Sequence, residues 1–131
     1  MGCLRNSGRS RLGLIMKAVI KGFTIVASDI EIWSPEDPKD FCMEIYLRIG
    51  GSSSEGADNF DLTVCTPKWL AKAAVKSPVW GRGLLVVSEY DLDLIRSEVA
   101  AYVSRYSGKN WTELATKLSR SLLWEFEDYV D

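Results

Sequence analysis

The chain has 131 residues, 47% hydrophobic and 26% charged, with a formal net charge of −2 and no histidine. That length supports one compact hydrophobic core rather than two, and no apolar run approaches the ~18 residues of a membrane span. Without histidine the chain lacks the commonest general base, the usual partner of Ser and Cys nucleophiles and the commonest metal ligand, which disfavours most enzyme classes.

Residues Met1 to Ile15 stand apart from the rest. They carry Arg5, Arg9 and Arg11 with no acid, and the small or polar residues Asn6, Ser7, Gly8 and Ser10. Their apolar run, Leu12 to Met16, is shorter than the roughly 7 to 15 residues of a secretory core. Asn6 stands where a myristoylation signal needs Ser or Thr. We expect residues 1–15 to be a disordered leader or tag-like extension, and residues 16–131 to form a single domain. Without the three leader arginines the body carries −5, from 13 basic and 18 acidic residues. No Lys/Arg block is available for phosphate contacts, so direct nucleic-acid binding is disfavoured and a basic protein partner favoured. The three cysteines show neither disulfide nor zinc spacing and suit a reducing, cytoplasmic setting. Cys42 and Cys65 read as small buried hydrophobes.

Lys17 to Val26, enriched in β-branched residues around Phe23, reads as a first strand. A loop follows through Trp33 to Ser34-Pro35-Glu36-Asp37-Pro38, where two prolines break any regular pairing. From Phe41 to Ile49 apolar residues alternate with Cys42, Glu44, Tyr46 and Arg48, the period of a half-buried strand. Gly50 to Ala57 is Gly/Ser-rich and reads as a mobile hairpin loop before Phe60 to Cys65, a strand with Phe60, Leu62 and Val64 in phase. That loop lacks the spacing and Lys-Ser/Thr ending of a phosphate-binding P-loop.

Thr66-Pro67 starts a helix, with the Thr66 side chain expected to accept from a first-turn amide and Pro67 at the first helical position. Trp69, Leu70, Ala73 and Ala74 form its apolar face as far as Ser77-Pro78. Val79 to Gly83 is an irregular connector, and Leu84 to Val87, a fully apolar run, reads as a strand. Asp91 caps a second helix, in which Leu92, Ile95, Val99, Tyr102, Val103 and Tyr106 recur every three or four residues up to Gly108. Asn110 and Glu113 form a capping box for a third helix through Leu114, Ala115, Leu118 and Leu122. Trp124 to Tyr129 alternates aromatics with acids, as a terminal strand or packed tail would. The order predicts an α+β fold with a mainly antiparallel sheet of four to five strands and three helices.

The acids Asp29, Glu31, Glu36, Asp37 and Asp40 do not match a calcium loop, since Pro35 and Pro38 interrupt the required spacing. They read as a solvated loop or a partner-facing surface. Glu125 and Glu127 would share a strand face, as a hydrolytic carboxylate pair does, but acids alternating with buried aromatics give the same pattern. No catalytic residue, metal site or cofactor is expected. Trp69 and Trp111 lie on helix faces and read as core. Trp33 and Trp80 lie in irregular segments beside Glu36, Asp37 and Arg82, as residues at interface centres do, or else they anchor their loops. The candidate partner-binding set is Trp33, Glu36, Asp37, Asp40, Trp80, Arg82, Glu125, Glu127 and Asp128.

Within residues 16–129 stand Trp33, Pro35-Glu36-Asp37-Pro38, Phe41, Ile49-Gly50, Phe60-Asp61 and Val64-Cys65-Thr66-Pro67-Lys68-Trp69-Leu70. They are followed in order by Val87, Glu89-Tyr90-Asp91, Trp111, Lys117-Leu118 and Trp124-Glu125-Phe126-Glu127-Asp128-Tyr129. On these residues the segment resembles the immunity protein 8 family found beside bacterial polymorphic toxins. The resemblance implies an α+β protein that binds and neutralises a cognate toxin; the acidic body suits a basic partner such as a nuclease, and charge and hydropathy disfavour direct contact with nucleic acid or membrane. A small carboxylate-dependent hydrolase and a subunit of an unrelated assembly are the alternatives.

Overall fold

The computed structural model describes residues 15–26 and 33–128. Residues 1–14 of the expected leader (1–15), the acids Asp29 and Glu31, and Tyr129 lie outside the described residues. The elements run β1 (Met16–Ile25), β2 (Cys42–Gly51), β3 (Asp58–Cys65), α1 (Pro67–Lys76), β4 (Leu84–Val86), α2 (Leu92–Ser104), β5 (Ser107–Gly108), α3 (Trp111–Leu118) and β6 (Leu123–Trp124).

β1, β2 and β3 form an antiparallel meander, with a register irregularity between Ile20 and Gly22. The expectation of a mainly antiparallel sheet of four to five strands gives way to a mixed sheet of six. Its order is β4-β3-β2-β1-β5, with β6 also on β3. One edge of β3 serves two strands of opposite direction: Phe60 and Asp61 pair antiparallel with β6, whereas Thr63 to Cys65 pair parallel with β4. The parallel step follows from connectivity, because α1 and the connector carry the chain back across the sheet before β4 begins.

The period-two pattern of the meander selects one buried face. Ile25, Met43, Ile45, Leu47, Ile49, Phe60, Leu62 and Val64 lie in a single cluster with Ile95, Val99 and Val103 of α2 and Leu114, Ala115 and Leu118 of α3. Leu122 joins them after α3 has ended. Glu44, Tyr46 and Arg48 face water on the opposite side, the alternation of an antiparallel sheet with a solvated face.

The Asp91 side chain accepts from the Leu94 amide, and Asn110 accepts from Glu113 N–H while Glu113 accepts from Lys109 N–H. Thr66 does not cap α1. Its buried hydroxyl accepts from Phe41 N–H at 3.1 Å, which joins the start of the helix to the start of β2. The second helix stops at Ser104 instead of reaching Gly108, because Ser107 and Gly108 pair with Met16 and Lys17 as β5. α1 buries no residue fully. Trp69, expected in the core, is half-buried beside Lys72, Ala73 and Lys76 instead.

Candidate functional site

The segment Trp33 to Asp40 is held to the body by aromatic contacts and hydrogen bonds. Trp33, Phe41 and Tyr90 meet edge to face, with ring centroids 5.5–6.3 Å apart. Tyr90 O–H donates to the Trp33 carbonyl and Tyr90 N–H to that of Pro38. Trp33 is thus a loop anchor. The Asp37 carboxylate accepts from Lys39 N–H at 2.9 Å, and that amide, with the Lys68 ammonium, holds its pKa below the ordinary Asp value. Lys68 pairs with Asp37 at 3.3 Å and Lys72 with Asp40. The two lysines lie four residues apart on one side of α1, so this weakly buried helix is clipped to the proline loop by ion pairs. Glu36 is exposed.

The connector beyond α1 is fixed at its far end. Arg82 donates from Nη1 to the carbonyls of Ser119 (2.9 Å) and Leu122 (3.5 Å), and its Nη2 pairs with Glu127 at 3.0 Å. Gly83 takes φ +83°, where a Cβ would meet Leu123 Cγ at 2.9 Å, and its carbonyl accepts from Thr63 N–H. Between this anchor and the end of α1, the indole of Trp80 is 91% exposed. Val75 is 87% exposed, and Val79 is exposed as well. An indole so exposed and so close to both ends of its segment is presented to water rather than packed on the body.

The expected terminal strand is short. β6 ends at Trp124, and 125–128 form turns with Asp128 at φ 63°. Glu125 and Glu127 therefore do not share a strand face. Glu125 accepts from Asn59 N–H at 2.6 Å, whereas Glu127 turns to Arg82. Asp128 is exposed and lines a shallow depression with Arg82, Trp124 and Glu127. Eight of the nine candidate residues thus fall in three places: Trp33, Glu36, Asp37 and Asp40 on the clipped loop; Arg82, Glu127 and Asp128 around the tail; and Glu125 on Asn59. Trp80 stands on the connector joining α1 to the tail group.

Val75 and Val79, the exposed companions of Trp80, were not anticipated; only Val75 carried a signal, as an apolar residue off the inward face of α1. Sequence reasoning also missed Asp58, which accepts from Trp111 Nε1 at 2.6 Å and from Trp124 Nε1 at 3.0 Å.

A pocket of about 210 Å³ lies between β4, α2 and the segment after α3, lined chiefly by Leu62, Leu84, Leu85, Val99 and Leu122, with Glu98 its one carboxylate. Among the described residues, no group of three or more Cys, Asp or Glu side chains is placed to hold a metal ion, and no helix is long and apolar enough to cross a membrane. No curated protein and no solved structure matches the chain. A family model described as immunity protein 8 matches residues 18–129. The match spans the meander, all three helices and the tail, and the chain belongs to the immunity protein 8 family.

Proposed function

We propose that this protein neutralises a cognate bacterial toxin by binding it directly and covering its active or substrate-binding surface, with Trp80 at the centre of the contact. The observation that carries the reading is the near-complete exposure of this indole on a connector whose far end is fixed by Arg82, beside exposed Val75 and Val79. Full burial of such a ring removes on the order of 200 Å² from water, worth about 5 kcal/mol by area. Tryptophan is also the residue most enriched where interfaces concentrate their energy. The acids Glu36, Asp37, Asp40, Glu125, Glu127 and Asp128, on a body of net charge −5, suit a basic toxin such as a nuclease. They would act mainly by steering association, which falls with added salt. The protein acts in the cytoplasm as an inhibitor, without chemistry of its own.

The test is co-expression with the toxin gene expected to lie beside its own, followed by growth rescue, pull-down and measurement of affinity. Trp80→Ala should weaken the complex by about 30-fold or more, a hot-spot loss of ~2 kcal/mol, while the melting temperature stays within a degree or two of wild type. Glu36→Lys should slow association at low salt and leave dissociation nearly unchanged. Normal binding by both variants would overturn this surface. Absence of rescue and of any complex with a neighbouring gene product would overturn the immunity reading itself.

A further inference from the structure

Antiparallel pairing of β2 and β3 sets Cys42 directly opposite Cys65. One step along the ladder, Thr66 N–H donates to the Phe41 carbonyl at 3.1 Å, so Phe41 and Thr66 form a hydrogen-bonded pair. Pair types alternate along an antiparallel ladder, which makes Cys42 and Cys65 a non-hydrogen-bonded pair, the type with the closer side chains. In such pairs the Cα atoms lie about 4.5 Å apart, inside the ~4.4–6.8 Å range of disulfides. Directly opposed residues leave the sheet on the same face. Both thiols are free; Cys65 is fully buried, whereas Cys42 is partly exposed and reachable from solvent.

We propose that Cys42 and Cys65 are an oxidisable dithiol that exchanges with small-molecule disulfides of the glutathione type, closing a cross-strand bridge at the α1 end of the β2–β3 hairpin. The Cys42 thiolate attacks one sulfur of the small disulfide and expels one small thiolate, giving a mixed disulfide. Cys65, as thiolate, then attacks the Cys42 sulfur and expels the second. Two protein thiols lose two electrons and two protons; the small disulfide gains both and leaves as two thiols.

Burial pushes Cys42 up to about 11, with Cys65 and Glu44 adding to the shift, and burial also raises Cys65. Thiolate is therefore scarce at neutral pH, and below its pKa each pH unit raises it about tenfold, so exchange should be slow at pH 7 and quicken about tenfold per unit toward pH 10. A high thiol pKa also makes each cysteine a poor leaving group, so the bridge, once closed, resists reduction. The bridge would fix the strand ends next to Thr66, where α1 begins, and would do so whether or not the protein is an inhibitor.

The test uses the full chain, as wild type and as Cys3→Ser, incubated with oxidised glutathione at pH 9, quenched by alkylation and mapped by peptide mass without reduction. The expected product is a peptide pair joined through Cys42 and Cys65, lighter than the reduced pair by two hydrogens. It should come with a melting temperature about 5–10 °C higher than the reduced protein's, reversed by dithiothreitol. Cys65→Ser should stop at glutathione bound to Cys42. A Cys3→Ser protein that stops at the mixed disulfide, or keeps both thiols open to alkylation, would overturn the proposal. A wild-type bridge running to Cys3 would overturn it equally.

Discussion

Replacing Asp58 with alanine should be strongly destabilising although this side chain is only partly buried. This carboxylate opens β3 and accepts from two indoles that come 53 and 66 residues later in the chain. Those rings bracket the buried Phe60, with Trp111 edge-on at 6.2 Å and Trp124 stacked at 6.3 Å with its plane 12° off parallel. Hydrogen bonds to a charged group contribute about 1.5–3 kcal/mol each. The lower value applies here, because one oxygen serves both donors and the half-buried indoles retain some access to water. Asp58→Ala should thus cost about 3 kcal/mol, and Asp58→Asn, which keeps a neutral acceptor, about half of that. For a domain of this size each kcal/mol moves the melting temperature by about 3–5 °C, so the alanine variant should melt roughly 10–15 °C lower. Urea unfolding followed by far-UV circular dichroism gives the free energy. A double-mutant cycle with Trp124→Phe should return a coupling of about 1–1.5 kcal/mol. An alanine variant within about 0.5 kcal/mol of wild type, or an additive cycle, would show that Asp58 does not organise the two rings.

At Gly50 a Cβ would lie 2.1 Å from the Gly56 carbonyl oxygen, a backbone atom that cannot turn aside. Gly50→Ala should therefore cost about 3 kcal/mol or more in chemical denaturation, while Gly56→Ala, which meets open space, should stay within about 0.5 kcal/mol. Arg82→Ala removes the donor to the Ser119 and Leu122 carbonyls as well as the Glu127 pair. The exposed pair contributes little, so a loss of about 1–2 kcal/mol should come mainly from the carbonyl bonds, with faster amide exchange at residues 119–125 as the readout. Unchanged exchange there would contradict the anchoring role of Arg82. Burial, reinforced by Glu44 and Glu125, raises the Asp61 pKa above the ordinary Asp value. With its folded pKa above its unfolded one, ionised Asp61 opposes folding, so stability present below the unfolded pKa is lost as pH rises through the folded pKa. Asp61→Asn should then stabilise the protein more at pH 7 than at pH 3, by no more than about 0.5 kcal/mol at this exposed site. Equal urea midpoint shifts at the two pH values would refute it.

Much of the fold was legible where a residue pattern meets a single buried face. The alternation from Phe41 to Ile49, the phase of Phe60, Leu62 and Val64, and the spacing of Ile95, Val99 and Val103 all map directly onto the core. Direction and pairing were not legible. The apolar run at Leu84 carries no mark of its parallel alignment with Thr63 to Cys65, and β5 exists because Met16 and Lys17 arrive beside Ser107 and Gly108. Thr66 carries the local signature of a helix cap, yet its hydroxyl bonds to an amide 25 residues away. Trp69 has the spacing of a core residue on a helix that, among the described residues, has no fully buried position. At the candidate site the irregular, charged setting singled out Trp80 but not its exposure. Nothing near Arg82 announces that its guanidinium turns toward the carbonyls that end α3, because that bond depends on a segment almost forty residues later.

The exposure of Trp80 also gives the molecule an optical handle of its own. The other four tryptophans, Trp33, Trp69, Trp111 and Trp124, are all partly sheltered, so their fluorescence should lie to the blue and respond weakly to quenchers. Trp80 should emit at the red edge and be the first extinguished by iodide or acrylamide. Any partner that seats on the connector would reverse both properties at once, and engagement of this surface becomes readable in unlabelled protein against a background set by the remaining indoles.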